Sequence, residues 1–238
     1  MKDLLGLLKA DSLKDLFVKK FEALIISGKL SIGEQLPPER EIAAQMGISR
    51  TIVHSGLIEL ASKGLITIHP RKGTTVNDYR IEGTLAALNS LVNYHEGEID
   101  KDLLKSLLAT RFIIETENAR LAALNRSEAN LASLRAILQK EAQVKADDID
   151  RIIDLDFSFH HQISMSTGNL IYPLIIKSFE LIYKNLTTKF FTHTGEIQTV
   201  FHFHKQLFDA IDAKLPDTAV ALMRQILEHG EQNLRHIL

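Results

Sequence analysis

The stretch 36–76 constrains this chain more than any other, because two helix-length segments and a strand pair follow one another there with almost no spacer. Leu36-Pro37-Pro38-Glu39-Arg40-Glu41-Ile42-Ala43-Ala44-Gln45-Met46 reads as a connector running into a short helix. Pro38 suits a first helical turn, where its missing N–H costs nothing, and Glu39 and Glu41 favour the positive end of the helix dipole. Ile42, Ala43 and Met46 have the spacing of an inward face. Gly47 supplies a left-handed stop, Ile48 plugs the turn, and Ser49 is an N-cap for a second helix whose inner face is Ile52, Val53, Gly56, Leu57 and Leu60. That arrangement turns Arg50, Thr51, His54 and Ser55 outward. Ile66-Thr67-Ile68, the basic turn His69-Pro70-Arg71-Lys72-Gly73, and Thr74-Thr75-Val76 then read as a β-hairpin. Helix, tight turn, helix, hairpin is the layout of a winged helix-turn-helix. Its second helix offers side chains to base edges, and a wing tipped with Arg71, Lys72 and Gly73 meets phosphate. A helical corner with solvated charges would leave cap, turn glycine, exposed arginine and basic wing as four coincidences.

At 238 residues the chain is long enough for two ordinary domains with cores of their own. Without cysteine it has no disulfide and no thiolate metal site, which fits a reducing cytoplasm. The apolar part of the start, Leu4-Leu5-Gly6-Leu7-Leu8, is too short for a secretory signal, and no apolar run reaches the roughly 18 residues of a membrane span. The expected location is the cytoplasm, with no membrane partner. The net charge of −2 hides an asymmetry: residues 1–78 hold 11 Lys/Arg against 9 Asp/Glu, and the rest hold 17 against 21. A mildly basic head on an acidic body suits specific DNA binding, where a few placed cations matter more than bulk charge.

The head begins with a helix from about Ser12 to Ser27, lined by Leu13, Phe17, Phe21 and Leu24 and stopped by Gly28. The stretch 30–37 is an extended connector. Beyond Asn77-Asp78-Tyr79 everything reads as helix, near 80–95, 98–124, 127–145, 148–167, 170–191, 198–213 and 216–237. Caps at Ser127 with Asn130, at Asp147 or Asp148, at Asn169 and at Pro216-Asp217 support several of these. The expected fold is mainly α: a winged helix-turn-helix with a small β-hairpin wing over 1–78, then an all-α antiparallel bundle over 79–238 for effector binding and dimerisation.

Gly33-x-x-Leu36-Pro37-x-Glu39-Arg40-x-Ile42-Ala43 and Gly47-Ile48-Ser49-Arg50-Thr51 resemble the GntR family of bacterial transcription regulators. In the body, Arg111-x-x-x-Glu115, Leu155-Asp156-x-x-Phe159-His160-x-x-Ile163, Gly168-Asn169 and His204-x-x-Leu207-x-x-Ala210-Ile211 resemble the FCD effector domain of its FadR subfamily. The resemblance spans essentially the whole chain. It implies that Arg40 and Arg50 contact an operator. It also marks His54 as a departure, since that position usually carries a third arginine; the shorter imidazole, mostly neutral at pH 7, still bonds a base or phosphate.

Asp156 and His160 are four apart and share a helix face, a spacing that chelates a metal, and bundle cores collect ligands from facing helices. The resemblance implies four metal ligands. Asp156, His160 and His204 are three of them, and the fourth position falls on Ile226, with His229 one turn beyond as a substitute. Without cysteine such a site is of the N/O type and suits Zn²⁺, Ni²⁺ or Mn²⁺ alike. The same residues also suit a buried His160 bonded to Asp156, with His204 a polar helix start. Arg111 matches the arginine that faces the family's effector cavity, where its fork takes a carboxylate; the competing use is a surface pair with Glu115. His193, His202 and His236 read as solvated or near helix ends.

The function these residues point to is a homodimeric, ligand-responsive transcription regulator on a palindromic double-stranded operator, not an enzyme. Its effector is a small carboxylate at a metal centre. The stretch 166–172, the ending His229-Gly230-Glu231 and Ile226 favour instead a fatty acyl-CoA held without metal. A metal-dependent enzyme with a DNA-binding head is a more distant alternative, because no general base or nucleophile accompanies the three ligands.

Overall fold

In a computed structural model the described residues are 12–94 and 101–237, without the side chains of 92–94, 193, 194, 236 and 237. The side chains of His193 and His236, the apolar start at 4–8 and the beginning of the helix expected near 98 therefore lie outside the described residues. The chain forms two compact units, 1–98 and 99–238.

In the first unit, helix α1 (Leu13–Ile26) starts at a reciprocal capping box, in which Ser12 and Asp15 each satisfy the other's backbone N–H. Helix α2 (Glu39–Met46) starts on Pro38, which is the N-cap rather than the first helical residue. The Pro38 carbonyl accepts from Glu41 and Ile42, so the missing proline N–H still costs nothing. Gly47 closes α2 at φ 65°. The Ser49 hydroxyl then caps α3 (Arg50–Ser62) by accepting from the Ile52 N–H at 3.3 Å. Val53, Gly56, Leu57 and Leu60 are buried, with Ile52 only half so. Gly56 has a particular reason to be glycine: a Cβ there would fall inside the Phe17 ring of α1.

Strands β2 (Ile66–His69) and β3 (Gly73–Val76) pair antiparallel with Ile66 opposite Val76 and His69 opposite Gly73. The expected hairpin is thus present, but a third strand, β1 (Gln35–Leu36), joins the other edge of β3. The connector hides it, because two residues carry no alternation for a sequence to display. The single helix expected over 80–95 is two pieces, α4 (Tyr79–Glu82) and α5 (Ala87–Tyr94). Gly83 ends α4 in extended conformation, and the Thr84 N–H is taken by the Lys63 carbonyl, which pulls the chain out of helix. Ala87 of α5 is in the same core as Phe17, Val53, Leu57 and Leu60, and Ser90 donates to the buried Glu22 of α1 at 2.6 Å. The first unit therefore extends past the 78/79 junction expected from sequence.

The second unit is a bundle of α6 (Lys101–Asn125), α7 (Glu128–Glu141), α8 (Ile149–Met165), α9 (Tyr172–Ser178), α10 (Glu180–Thr194), α11 (Ile197–Asp212) and α12 (Pro216–Ile237). Its core joins Ala119, Ala122 and Ala123 of α6 with Leu134, Phe159, Ile163, Leu207, Ile211, Ala219 and Met223. The three alanines are fully buried, and so small a face lets α6 lie close against α12. The helix expected over 170–191 is broken at Phe179 (φ −89°, ψ 0°). No glycine or proline marks that break, and none could have been read from sequence. Among the described residues no helix is long and apolar enough to cross a membrane.

Candidate functional site

The head turns its candidate contacts to solvent. Arg40, Ser49, Arg50, Thr51, His54, Arg71, Lys72 and Gly73 are all exposed, and Arg50, Thr51 and His54 stand on the first turns of α3. Ser49 spends its oxygen on the helix cap but keeps a hydroxyl proton to donate. Glu39 of α2 reaches across: its carboxylate accepts from Arg50 Nε at 3.1 Å and lies 2.7 Å from His54 Nδ1. His54 and Arg50 both hold the Glu39 carboxyl below the usual range, His54 with the larger effect, against a smaller opposing effect of burial. In the wing, Arg71 adopts φ 64°, a left-handed conformation costly for a residue with a Cβ. The Lys72 carbonyl beside it accepts from the Gln35 side chain at 2.7 Å, which fixes the turn to β1.

In the body, Asp156 and His160 of α8 and His204 of α11 converge. One ligand atom from each lies within 4.8 Å of the others, and all three residues are buried. His204 is in the middle of α11 and not at a helix start, which is why it can face α8. Each member of this trio is backed by a different helix. Glu141 of α7 holds His204 Nδ1 at 2.8 Å, Glu115 of α6 lies against His160 Nδ1, and the Tyr183 hydroxyl of α10 donates to Asp156 Oδ2 at 2.5 Å. His160 is therefore partnered by Glu115 and not, as the alternative sequence reading had it, by Asp156. Backing of this kind fixes the tautomer, directs the opposite nitrogen inward and raises its basicity. His204 Nε2 is left buried with no hydrogen-bond partner, 3.5 Å from Asp156 Oδ1. A lone buried acceptor or donor is costly, and a cation between these groups would satisfy it. The residues fit a divalent ion.

Arg111 pairs with Glu115 and also lines a cavity. Its Nε donates to Glu115 Oε1 at 2.6 Å, yet the pair is buried and not on the helix surface. The guanidinium lies 4.4 Å from the centre of the Tyr183 ring and lines one cavity with Asp156 and His160. Burial works against a charged Glu115, but Arg111 and His160 outweigh it and hold the carboxyl down to about 2. For His204, burial disfavours the proton, while Glu141, Asp156 and Glu115 together favour it more and raise its pKa. Burial and the neighbouring Asp156 push the Tyr183 phenol well above its ordinary value, so it stays a neutral donor.

His229 lines the same cavity but is not one of the gathered ligands. It stands 3.7 Å from Glu196 Oε2 and edge-on to Phe190 and Phe203, while Ile226 puts an apolar side chain on the cavity wall. Three contributors escaped the sequence reading as partners of the site. Glu115 was visible in its motif but assigned to Arg111 alone, whereas Glu141 and Tyr183 carry no local signal because α7 and α10 bring them in from distant positions.

The sequence matches the gntR family of bacterial regulatory proteins over residues 17–76 and the FCD domain over residues 106–229. It is 30% identical over 219 residues to the HTH-type transcriptional regulator Mce2R of Mycobacterium tuberculosis, covering 90% of this chain and 88% of that one. It is 28% identical over 193 residues to the fatty acid metabolism regulator protein of Klebsiella pneumoniae, covering 81% and 78%. Among solved structures, Lar, which controls expression of the Listeria monocytogenes agr system, shares the fold with a TM-score of 0.66 at 17% identity, over 97% of this chain and 100% of that one. McbR/YncC of E. coli shares it with a TM-score of 0.53 at 21% identity, over 95% and 99%.

Proposed function

The chain belongs to the gntR family of bacterial regulatory proteins and carries an FCD domain, and from that membership we propose a cytoplasmic homodimer that binds a palindromic operator and responds to a carboxylate held at a metal centre. It is a DNA-binding transcription regulator rather than an enzyme, with a small-molecule effector domain. Arg40, Ser49, Arg50, Thr51 and His54 face the operator's bases and phosphates, and Arg71, Lys72 and Gly73 form the wing's contact. Asp156, His160 and His204 hold a divalent ion, which supplies a Lewis-acid coordination point for a carboxylate. Arg111 keeps its two Nη groups for the same carboxylate, because only Nε is committed to Glu115.

The observation that carries this reading is His204 Nε2, buried without a hydrogen bond and 3.5 Å from Asp156 Oδ1, beside a second histidine backed by a carboxylate. The test is metal analysis of the purified protein beside its His160→Ala variant. The expected result is a bound divalent ion in the first and its loss in the second, with the helical content of both unchanged. A second reading, an acyl-CoA effector without metal, draws on the phenylalanines in the cavity wall and on the relatives named fatty acid metabolism regulator. Absence of metal, together with release of operator DNA by long-chain acyl-CoA and not by small carboxylates, would establish that reading instead.

A further inference from the structure

The cavity beside the three ligands has two chemically different parts. Arg111, Asp156 and His160 make one end, while Phe190, Phe191, Phe203, Ile226, Leu227 and Leu234 make most of the remaining wall. Polar side chains at that wall are few: Thr187, His229 and Glu231. Thr187 returns its hydroxyl to the Tyr183 carbonyl at 2.9 Å, and His229 faces Glu196. Glu231, which also lines the cavity, is held by Arg235 at 2.6 Å. An effector with several hydroxyls would strand them against phenylalanine, and a second carboxylate would meet Glu231. The space is about 50 Å³ measured to the centre of a water-sized sphere. Widened by the radius of that sphere, the space suits a small organic body.

We propose that the effector is a monocarboxylate with a compact apolar body, a short alkyl chain or a single aryl ring, whose carboxylate sits at the Arg111 end and whose body fills the phenylalanine wall. This rests on the carboxylate-at-metal reading above. It reconciles the two features that sequence set against each other, since the metal ligands serve the head of the molecule and Ile226 serves its body. Apolar burial then contributes affinity that grows with chain length until the cavity is full.

The experiment is calorimetric titration of the full-length, metal-assayed protein with acetate, butanoate, hexanoate, phenylacetate, lactate, malonate and palmitoyl-CoA. Affinity is expected to rise by roughly fourfold per methylene from acetate to hexanoate. Phenylacetate should bind in the same range, with lactate and malonate no tighter than acetate. Phe203→Ala should flatten the chain-length series. Glu231→Gln, a partly exposed position whose change leaves the core intact, should raise malonate affinity relative to butanoate. Lactate or malonate binding above hexanoate would overturn the proposal while leaving a carboxylate effector standing. Binding of palmitoyl-CoA alone, or of none of these acids to metal-loaded protein, would overturn both.

Discussion

One carboxylate, Glu39, holds two of the side chains that the recognition helix turns outward, Arg50 and His54. An exposed pair of this kind is worth only about 0.2–1 kcal/mol, so its importance lies in placement more than in stability. It orders Arg50 and His54 side by side before DNA arrives, and it sets a negative charge against any phosphate that approaches them indiscriminately. Glu39→Gln is therefore expected to tighten binding to random DNA and to lower the ratio of operator to random affinity, read by competition anisotropy at two salt concentrations. An unchanged ratio would reduce Glu39 to a bystander. The same carboxyl gives a pH signature. Its folded pKa lies below the ordinary 4.5, so its contribution is present above about pH 4.5 and is lost as pH falls through the lower folded value. Melting of the wild-type head should fall more steeply below that pH than melting of Glu39→Gln. Arg50→Ala should cost about 1–3 kcal/mol on the operator and little on random DNA if Arg50 reads a base. Lys72→Ala should weaken both kinds of DNA alike and lower the salt slope by about one.

Elements divide according to whether their signals are local. The short helix, its glycine stop, the Ser49 cap and the wing are written in adjacent residues, and the structure has all of them where the sequence puts them. Strand β1, the interruption at Gly83 and Thr84, and the break at Phe179 depend on partners far along the chain, and no window of neighbouring residues contains them. The proposed metal ligands follow the same division. Asp156 and His160 share one turn of α8 and are legible by spacing, while their backing arrives from α6, α7 and α10. Those backing groups are testable by themselves. Glu141→Gln keeps size and hydrogen bonding at His204 but removes the charge, and it should lower metal affinity by about 10–100-fold with the fold intact, measured by chelator competition. Unchanged affinity would make Glu141 a packing residue only. In the head, Gly56→Ala drives a methyl into the Phe17 ring. Overpacking of this sort costs about 1–3 kcal/mol, so chemical denaturation should show a weaker head with the body's transition unmoved.

At the scale of the molecule, two compact units carry two ligands, and the regulator's behaviour is the free energy that couples them. One small head with a handful of exposed contacts binds weakly alone, and a two-fold operator asks for two heads joined by their bodies. Sedimentation should find a dimer at micromolar concentration; a monomer with full operator affinity would contradict the assembly proposed here. Exposed apolar side chains at Leu170, Ile171 and Leu174 on the second unit are surface that such an assembly has reason to cover. Coupling between sites in proteins of this kind is typically about 1–3 kcal/mol, or 5–150-fold in affinity. Linkage makes that factor reciprocal, which gives the last expectation its sharpness. If hexanoate changes operator affinity by some factor at saturating metal, saturating operator must change hexanoate affinity by the same factor, in the same sense. Titrating effector into the dimer with and without operator measures one side, and titrating operator with and without effector measures the other. Equal factors different from one would place the control in a shared conformational equilibrium of the dimer. Factors of one, with both ligands bound, would show that the cavity described here is not where regulation enters.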